Sequence, residues 1–216
     1  MKKVAVILSG CGVFDGAELG ESILTLLHIT KAGARYQCFA PDVMQRHTIN
    51  HLTGEEQQQT RNVLLESARV ARGDVKAVTE LVAEDFDALI IPGGFGAAKN
   101  LSDFAVNGVE ASVQGDVLKA CKAFAEANKP AAYMCIAPVM IPLVYGPGAQ
   151  FTIGNDTDTI AVISALGGEH IECAVADIVV DHSRKLVSTP AYMLAQNLVE
   201  AELGIAKLVN QVLAMS

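Results

Sequence analysis

The sequence predicts an α/β fold in which a mostly parallel sheet is covered by helices on both faces. Apolar runs of strand length alternate with longer stretches of helical spacing along the whole chain. The early strand candidates, 4–8 and 88–91, are apolar throughout rather than alternating, as strands buried on both faces are. Several runs also stop abruptly on glycine-rich turns or on a cysteine. In sheets of this kind ligands bind beyond the carboxyl ends of the strands.

Residues 4–8 form the first strand candidate. The opening Met1-Lys2-Lys3 and the apolar run after it mimic a signal peptide, but Gly10, Gly12 and Asp15 break the run, and no small-residue cleavage pattern is evident. A glycine-rich turn, 10–16, leads into a helix over 17–31, with Gly33 placed to end it. Residues 36–40 give a second strand, closed by Pro41. Residues 42–54 are irregular, and 60–72 are helical, with Val63, Leu64, Ala68 and Ala71 on one side. Residues 88–91 form a third strand that stops at Pro92-Gly93-Gly94-Phe95-Gly96. A long helix is expected over 109–128, a strand over 131–134, a helix over 137–145, a short strand over 150–153 and a helix over 158–166. Residues 178–180 and 186–188 flank Asp181-His182-Ser183-Arg184 as a hairpin, and a closing helix runs over 193–214. No repeat, linker or low-complexity tract divides the chain, so 1–216 is expected to be one domain.

Bulk properties narrow the function. With 216 residues and 51% apolar content the chain has material for a sizeable core. A net charge of −8 argues against a nucleic-acid partner. No apolar run approaches the ~18 residues of a membrane span. The five cysteines, at 11, 38, 121, 135 and 173, form no Cys-x-x-Cys and no zinc-like spacing. Their odd number and the lack of a secretion signal imply a reducing compartment with mostly free thiols, and a cytoplasmic location is expected. Cys38, Cys121 and Cys173 read as small buried hydrophobes.

Cys135 reads differently. In Tyr133-Met134-Cys135-Ile136-Ala137-Pro138 an apolar strand ends on a nucleophilic side chain, and helical spacing resumes at once with Ile136, Val139, Met140 and Leu143. That is the pattern of a nucleophile elbow, which lifts the side chain to the rim of a sheet. A helix N-terminus behind the sulfur is expected to favour thiolate. The competing reading is a buried structural cysteine. Backbone N–H groups of Gly93 and Gly94, with that of Ile136, are candidates for an oxyanion hole. A phosphate loop is the alternative for the same glycines, but no Gly-Lys-Ser/Thr follows. On the first helix Glu18, Glu21, Thr25 and His28 form one polar stripe. Glu18 and His28 fit a solvated face. Glu21, in the first two turns, is positioned to reach the cleft near Cys135, where desolvation would raise its pKa into a useful range. Cys11, in the first loop, and His51, in the irregular segment, are further substrate-side candidates. His170-Ile171-Glu172 mimics an amidotransferase His-x-Glu but arrives too soon after the elbow.

Ile91-Pro92-Gly93-Gly94-Phe95-Gly96-Ala97-Ala98-Lys99-Asn100-Leu101 together with Met134-Cys135-Ile136-Ala137-Pro138 resemble the PfpI-like cysteine hydrolase superfamily, relatives of class I glutamine amidotransferases. Ile7-Leu8-Ser9-Gly10-Cys11-Gly12-Val13-Phe14-Asp15-Gly16, Asn50-His51-Leu52-Thr53-Gly54-Glu55 and Thr189-Pro190-Ala191-Tyr192-Met193-Leu194-Ala195-Gln196-Asn197 look like its enhancing-lycopene-biosynthesis (ElbB) branch, also called isoprenoid biosynthesis proteins with an amidotransferase-like domain. The resemblance implies a flavodoxin-like three-layer sandwich, a homodimer, and a glutathione-independent glyoxalase of the hydro-lyase type, with no cofactor or metal, acting on a small aldehyde. It also implies that a first-helix glutamate touches the elbow cysteine. Counting back twelve residues from Gly33 gives Glu21 that role. Many relatives carry a histidine about twenty residues after the cysteine, but residues 152–156 contain none, which leaves a Cys–Glu pair rather than a triad. A cysteine-based redox sensor and an amidotransferase-like regulatory domain are the rival readings, the second requiring a histidine beside Cys135 in the folded chain.

Overall fold

A computed structural model describes all 216 residues, Met1–Ser216. The chain runs β1 (Lys3–Ile7), α1 (Leu19–Lys31), β2 (Arg35–Ala40), α2 (Val63–Val70), β3 (Val75–Ala77), β4 (Ala88–Ile91), α3 (Phe95–Lys99), α4 (Phe104–Asn107), α5 (Gly115–Glu126), β5 (Ala131–Met134), α6 (Ile141–Tyr145), β6 (Gln150–Phe151), α7 (Thr157–Ala165), β7 (Glu169–His170), β8 (Val179–Asp181), β9 (Leu186–Thr189) and α8 (Leu198–Met215). Seven strands form one sheet in the order β3-β2-β1-β4-β5-β9-β8. Every pairing in it is parallel except β8 with β9. Helices flank the sheet, giving the flavodoxin-like α/β sandwich.

The central strands β1 (after Lys3), β4 and β5 are apolar because alternate residues feed two separate cores. Ala5, Ile7, Leu89, Ile91, Ala131 and Tyr133 point into one core, and Val4, Val6, Ala88, Ile90, Ala132 and Met134 into the other. The chain moves from β1 outward to β2 and β3, then returns to place β4 on the other side of β1. The loops leaving β1 and β4 therefore part at a switch point, where a crevice opens at the carboxyl edge.

Several elements differ from expectation. Helix α5 begins at Gly115, not 109, because the Gln114 side chain accepts from the Val117 N–H and sets the start there. Residues 108–113 instead make a short 3₁₀ turn and a bridge between Ser102 and Val113. Helix α8 starts at Leu198, where Asn197 caps Glu200, and residues 191–193 form a separate 3₁₀ turn. The short elements β3, α3, α4 and β7 carry too few residues to display a period. Glu18 is the N-cap of α1 rather than part of a solvated face, its carboxylate accepting from the Glu21 N–H at 2.6 Å. His28 is largely buried against α8, 3.0 Å from Glu202. Cys38 and Cys121 are buried as expected, but Cys173 is partly exposed because it lies in an irregular loop rather than an element.

Candidate active site

Strand β5 ends at Met134, and the chain turns through Cys135 in a left-handed conformation, φ 59°. A non-glycine residue held there costs on the order of 1–3 kcal/mol, so the surroundings must enforce it. The Cys135 N–H donates to the Thr189 carbonyl of β9 at 3.1 Å, which extends the β5–β9 pairing by one step. Past the turn, Pro138 opens a 3₁₀ turn, Ala137–Met140, that leads into α6. This strained strand-to-helix turn is the elbow geometry. It presents the side chain at the floor of a half-open cavity of about 640 Å³. Cys135 is 7% exposed.

Glu21 is fully buried beneath it. One carboxylate oxygen, Oε2, accepts from the Gly93 N–H at 2.8 Å, and Oε1 accepts from the Tyr192 N–H at 3.2 Å. The Cys135 side chain lies against the same carboxyl group. Burial, reinforced by the charge of Glu18, lifts the Glu21 pKa from 4.5 to about 7, against the pull of these hydrogen bonds. Burial first, and the Glu21 charge second, push the Cys135 thiol well above its ordinary range. The N–H groups of Gly94 and Ile136, beside the sulfur, pull the other way. The expectation of a thiolate favoured by a helix N-terminus is thus reversed: a short 3₁₀ turn follows the sulfur, and desolvation outweighs it. Two buried acids this close cannot both ionise, so near neutrality the pair carries one shared negative charge.

Gly93 has no room for a side chain. A Cβ there would overlap Cys135 Cβ and come within 2.7 Å of Glu21 Oε2 and 2.9 Å of the Met134 carbonyl. Its N–H is spent on Glu21 and does not face the cavity, so of the three proposed oxyanion donors only Gly94 and Ile136 remain beside the sulfur. Gly94 sits at φ 94°, with the first loop packed directly against it.

Cys11 and His51 do not line this cavity. Cys11 is partly buried, its thiol pushed up by burial and by the charge of Glu66. His51 Nε2 accepts from the Phe14 N–H at 3.2 Å and lies 3.8 Å from Asp15 Oδ1, tying the irregular segment to the first loop. None of the five histidines lines the cavity; His170 pairs with Thr152 Oγ1 at 3.5 Å.

The cavity has an outer wall that the sequence reading missed. Asn155, Asp156, Thr157 and Thr159, at the start of α7, line it together with Val13, Phe95, Tyr192 and Met193. Asp156 caps α7 by accepting from the Thr159 N–H at 2.9 Å. The signals were present: Asp156 three residues before Thr159 reads as a helix start, and 190–193 follows β9 at the same sheet edge as Cys135.

No protein-family model matches the chain. Over 224 aligned residues the chain is 42% identical to the mitochondrial ES1 protein homolog of Rattus norvegicus, covering 99% of this chain and 84% of that one. The mitochondrial glutamine amidotransferase-like class 1 domain-containing protein 3 of Homo sapiens is likewise 42% identical, with 99% and 83% covered. Among solved structures, an isoprenoid biosynthesis protein with an amidotransferase-like domain from Ehrlichia chaffeensis superposes with a TM-score of 0.93 at 32% identity, covering 100% of this chain and 99% of that one. Glyoxalase III of Candida albicans shares the fold, with a TM-score of 0.64 at 14% identity, covering 99% of this chain and 97% of that one. The curated relatives are named mitochondrial, which overturns the cytoplasmic expectation; thiol usage reports a reducing environment and does not discriminate between compartments that share one. The class I amidotransferase-like assignment stands, and the chain belongs to the family of ES1 proteins and glutamine amidotransferase-like class 1 domain-containing protein 3.

Proposed function

We propose that the chain is a cofactor-free, glutathione-independent glyoxalase that converts an α-oxoaldehyde to a 2-hydroxy acid at Cys135. The observation that carries this reading is the buried Cys135–Glu21 pair beneath an accessible cavity, with the N–H groups of Gly94 and Ile136 beside the sulfur and no histidine on the walls. The sulfur adds to the aldehyde carbon, and the shared proton goes to the aldehyde oxygen, giving a hemithioacetal and leaving Glu21 as carboxylate. Glu21 takes the proton from that carbon, forming an enediolate; the hydroxyl proton passes to the neighbouring oxygen, and Glu21 returns its proton to the carbon that bears that oxygen. The product is a thioester of a 2-hydroxy acid. Water cleaves it to the free acid and restores the thiol, so aldehyde plus water gives hydroxy acid. The N–H groups of Gly94 and Ile136 stabilise the oxygen that gains charge. A pKa of about 7 lets Glu21 hold and release a proton at neutral pH.

The rival readings draw less support. A redox sensor needs an exposed thiol of low pKa, whereas this one is buried and pushed up. An amidotransferase needs a histidine base beside the sulfur. ElbB kinship and a connection to isoprenoid metabolism remain part of the proposal, resting on the sequence motifs and on the name of the Ehrlichia protein. So does the homodimer: Leu19, Ile23 and Leu27 on α1 and Leu198, Val199 and Leu203 on α8 are exposed and apolar, and sedimentation of the chain tests it. The deciding experiment for the reaction is turnover of glyoxal without glutathione by the wild type and by Cys135→Ala. Turnover confined to the wild type is expected. Equal turnover by both, or none by either, defeats the reading.

A further inference from the structure

The cavity is much larger than the aldehyde named above requires. Methylglyoxal has about five non-hydrogen atoms and at roughly 30 Å³ each occupies on the order of 150 Å³. The space over Cys135 is about 640 Å³, within the range of sites for larger ligands.

The walls of that space differ in character. Part of the lining is aromatic, Phe95 and Tyr192, with Phe95 45% exposed. Another part is a polar segment at the start of α7. Asp156 is committed there to capping Thr159, which leaves Asn155 and Thr157 as the exposed, uncharged polar residues of the lining. A lining that combines aromatic rings with an amide and a hydroxyl suits a chain that carries both C–H surface and hydroxyl groups. The same wall is unsuited to a phosphate or carboxylate. The Asp156 carboxylate is already on the helix N-terminus, and the chain carries a net charge of −8.

We infer that the substrate is a sugar-derived α-oxoaldehyde with a neutral, polyhydroxylated chain of several carbons. Its aldehyde sits at Cys135, its hydroxyl groups bond Asn155 and Thr157, and its C–H face lies against Phe95 and Tyr192. The inference rests on the glyoxalase reading and sharpens it by assigning specificity to the α7 wall. The chemistry at the aldehyde end is unchanged, and its atoms balance as before, since the hydroxylated chain takes no part.

The test compares kcat/KM for 3-deoxyglucosone, methylglyoxal and a phosphorylated α-oxoaldehyde of similar length, using the wild type and an Asn155→Leu/Thr157→Val double variant. Both positions are exposed, so the fold is expected to survive, and circular dichroism checks it. The wild type is expected to favour 3-deoxyglucosone over each of the other two by at least tenfold. In the double variant the ratio of 3-deoxyglucosone to methylglyoxal is expected to fall about tenfold, mainly through KM. Turnover of methylglyoxal with no preference for the longer chain, an unchanged ratio in the double variant, or a preference for the phosphorylated compound overturns the substrate class and leaves the glyoxalase reading standing. Absence of turnover with all three aldehydes overturns both.

Discussion

The floor and the outer wall of the cavity over Cys135 are built to opposite standards. On the floor, Glu21 is fully buried, both carboxylate oxygens accept backbone N–H groups, and Gly93 leaves no space for a methyl group. On the wall, residues 155–158 are exposed, and only the cap of α7 ties their side chains down. The floor residues come from the ends of β4 and β5, inside the sheet, and from α1, whose Leu26 and Ile29 are buried in the core on one face of it. The wall comes from a helix outside it. Chemistry requires positions held within fractions of an ångström, whereas selection among substrates tolerates a surface that can change. Substitutions on the floor should therefore be costly in rate, and those on the wall should be mild.

The largest effect is expected from Cys135→Ala, which should lower turnover by ~10³-fold or more while leaving the fold intact. A steady-state assay beside a circular dichroism spectrum checks both halves. Next comes the strain that Glu21 places on the fold. Its pKa is higher folded, about 7, than an ordinary carboxyl group's 4.5. The folded state therefore binds the proton more tightly. That contribution is fully present below pH 4.5 and is lost as pH rises to 7, which leaves the wild type paying for a buried charge above neutrality. Because the Glu21→Gln amide can accept only one of the two backbone N–H groups, its stability relative to wild type is expected to be lower at pH 5 and to move in its favour by roughly 3 kcal/mol between pH 5 and pH 8. Urea unfolding at the two pH values measures it, and a pH-independent difference would contradict the assigned burial.

Gly93→Ala should cost about 1–3 kcal/mol of stability, because its methyl group would overlap the Cys135 and Glu21 side chains. It should also slow turnover, linking fold and chemistry at one atom. The smallest effect is on the wall. Asp156→Ala removes the α7 cap and should cost about 1 kcal/mol, seen as a shift of a few degrees in Tm. A loss on the wall as large as that on the floor would erase the contrast between them.

The same contrast governs what was legible in the sequence. Strand β5 was read at its observed bounds, and the elbow at Cys135 with it, because a buried strand that stops on a polar side chain leaves a sharp pattern. The parallel order of the sheet followed from continuous apolar strands. Glu21 follows from its place in the first two turns of α1, and the family resemblance, counted back from Gly33, separates it from Glu18. What the sequence hid was partnership. Nothing in Pro92-Gly93-Gly94 says that the Gly93 N–H turns to Glu21 while the Gly94 N–H turns to the sulfur. Nothing local foretold that burial would outweigh the turn after Cys135 and raise the thiol pKa, since desolvation depends on atoms supplied by distant segments. The wall was missed for a related reason: α7 reaches the cavity only through the tertiary fold.

The claim on which the rest depends is that Glu21 moves the proton for chemistry at Cys135. It is tested most directly by the pH dependence of kcat/KM for methylglyoxal, without glutathione, in the wild type and in Glu21→Gln. The wild type should rise through an apparent pKa near 7 as the pair reaches its singly charged form, and the variant should lose that limb together with ~10²-fold or more of the rate. A variant that keeps the wild-type rate and the same limb would show that the acid beneath the sulfur takes no part.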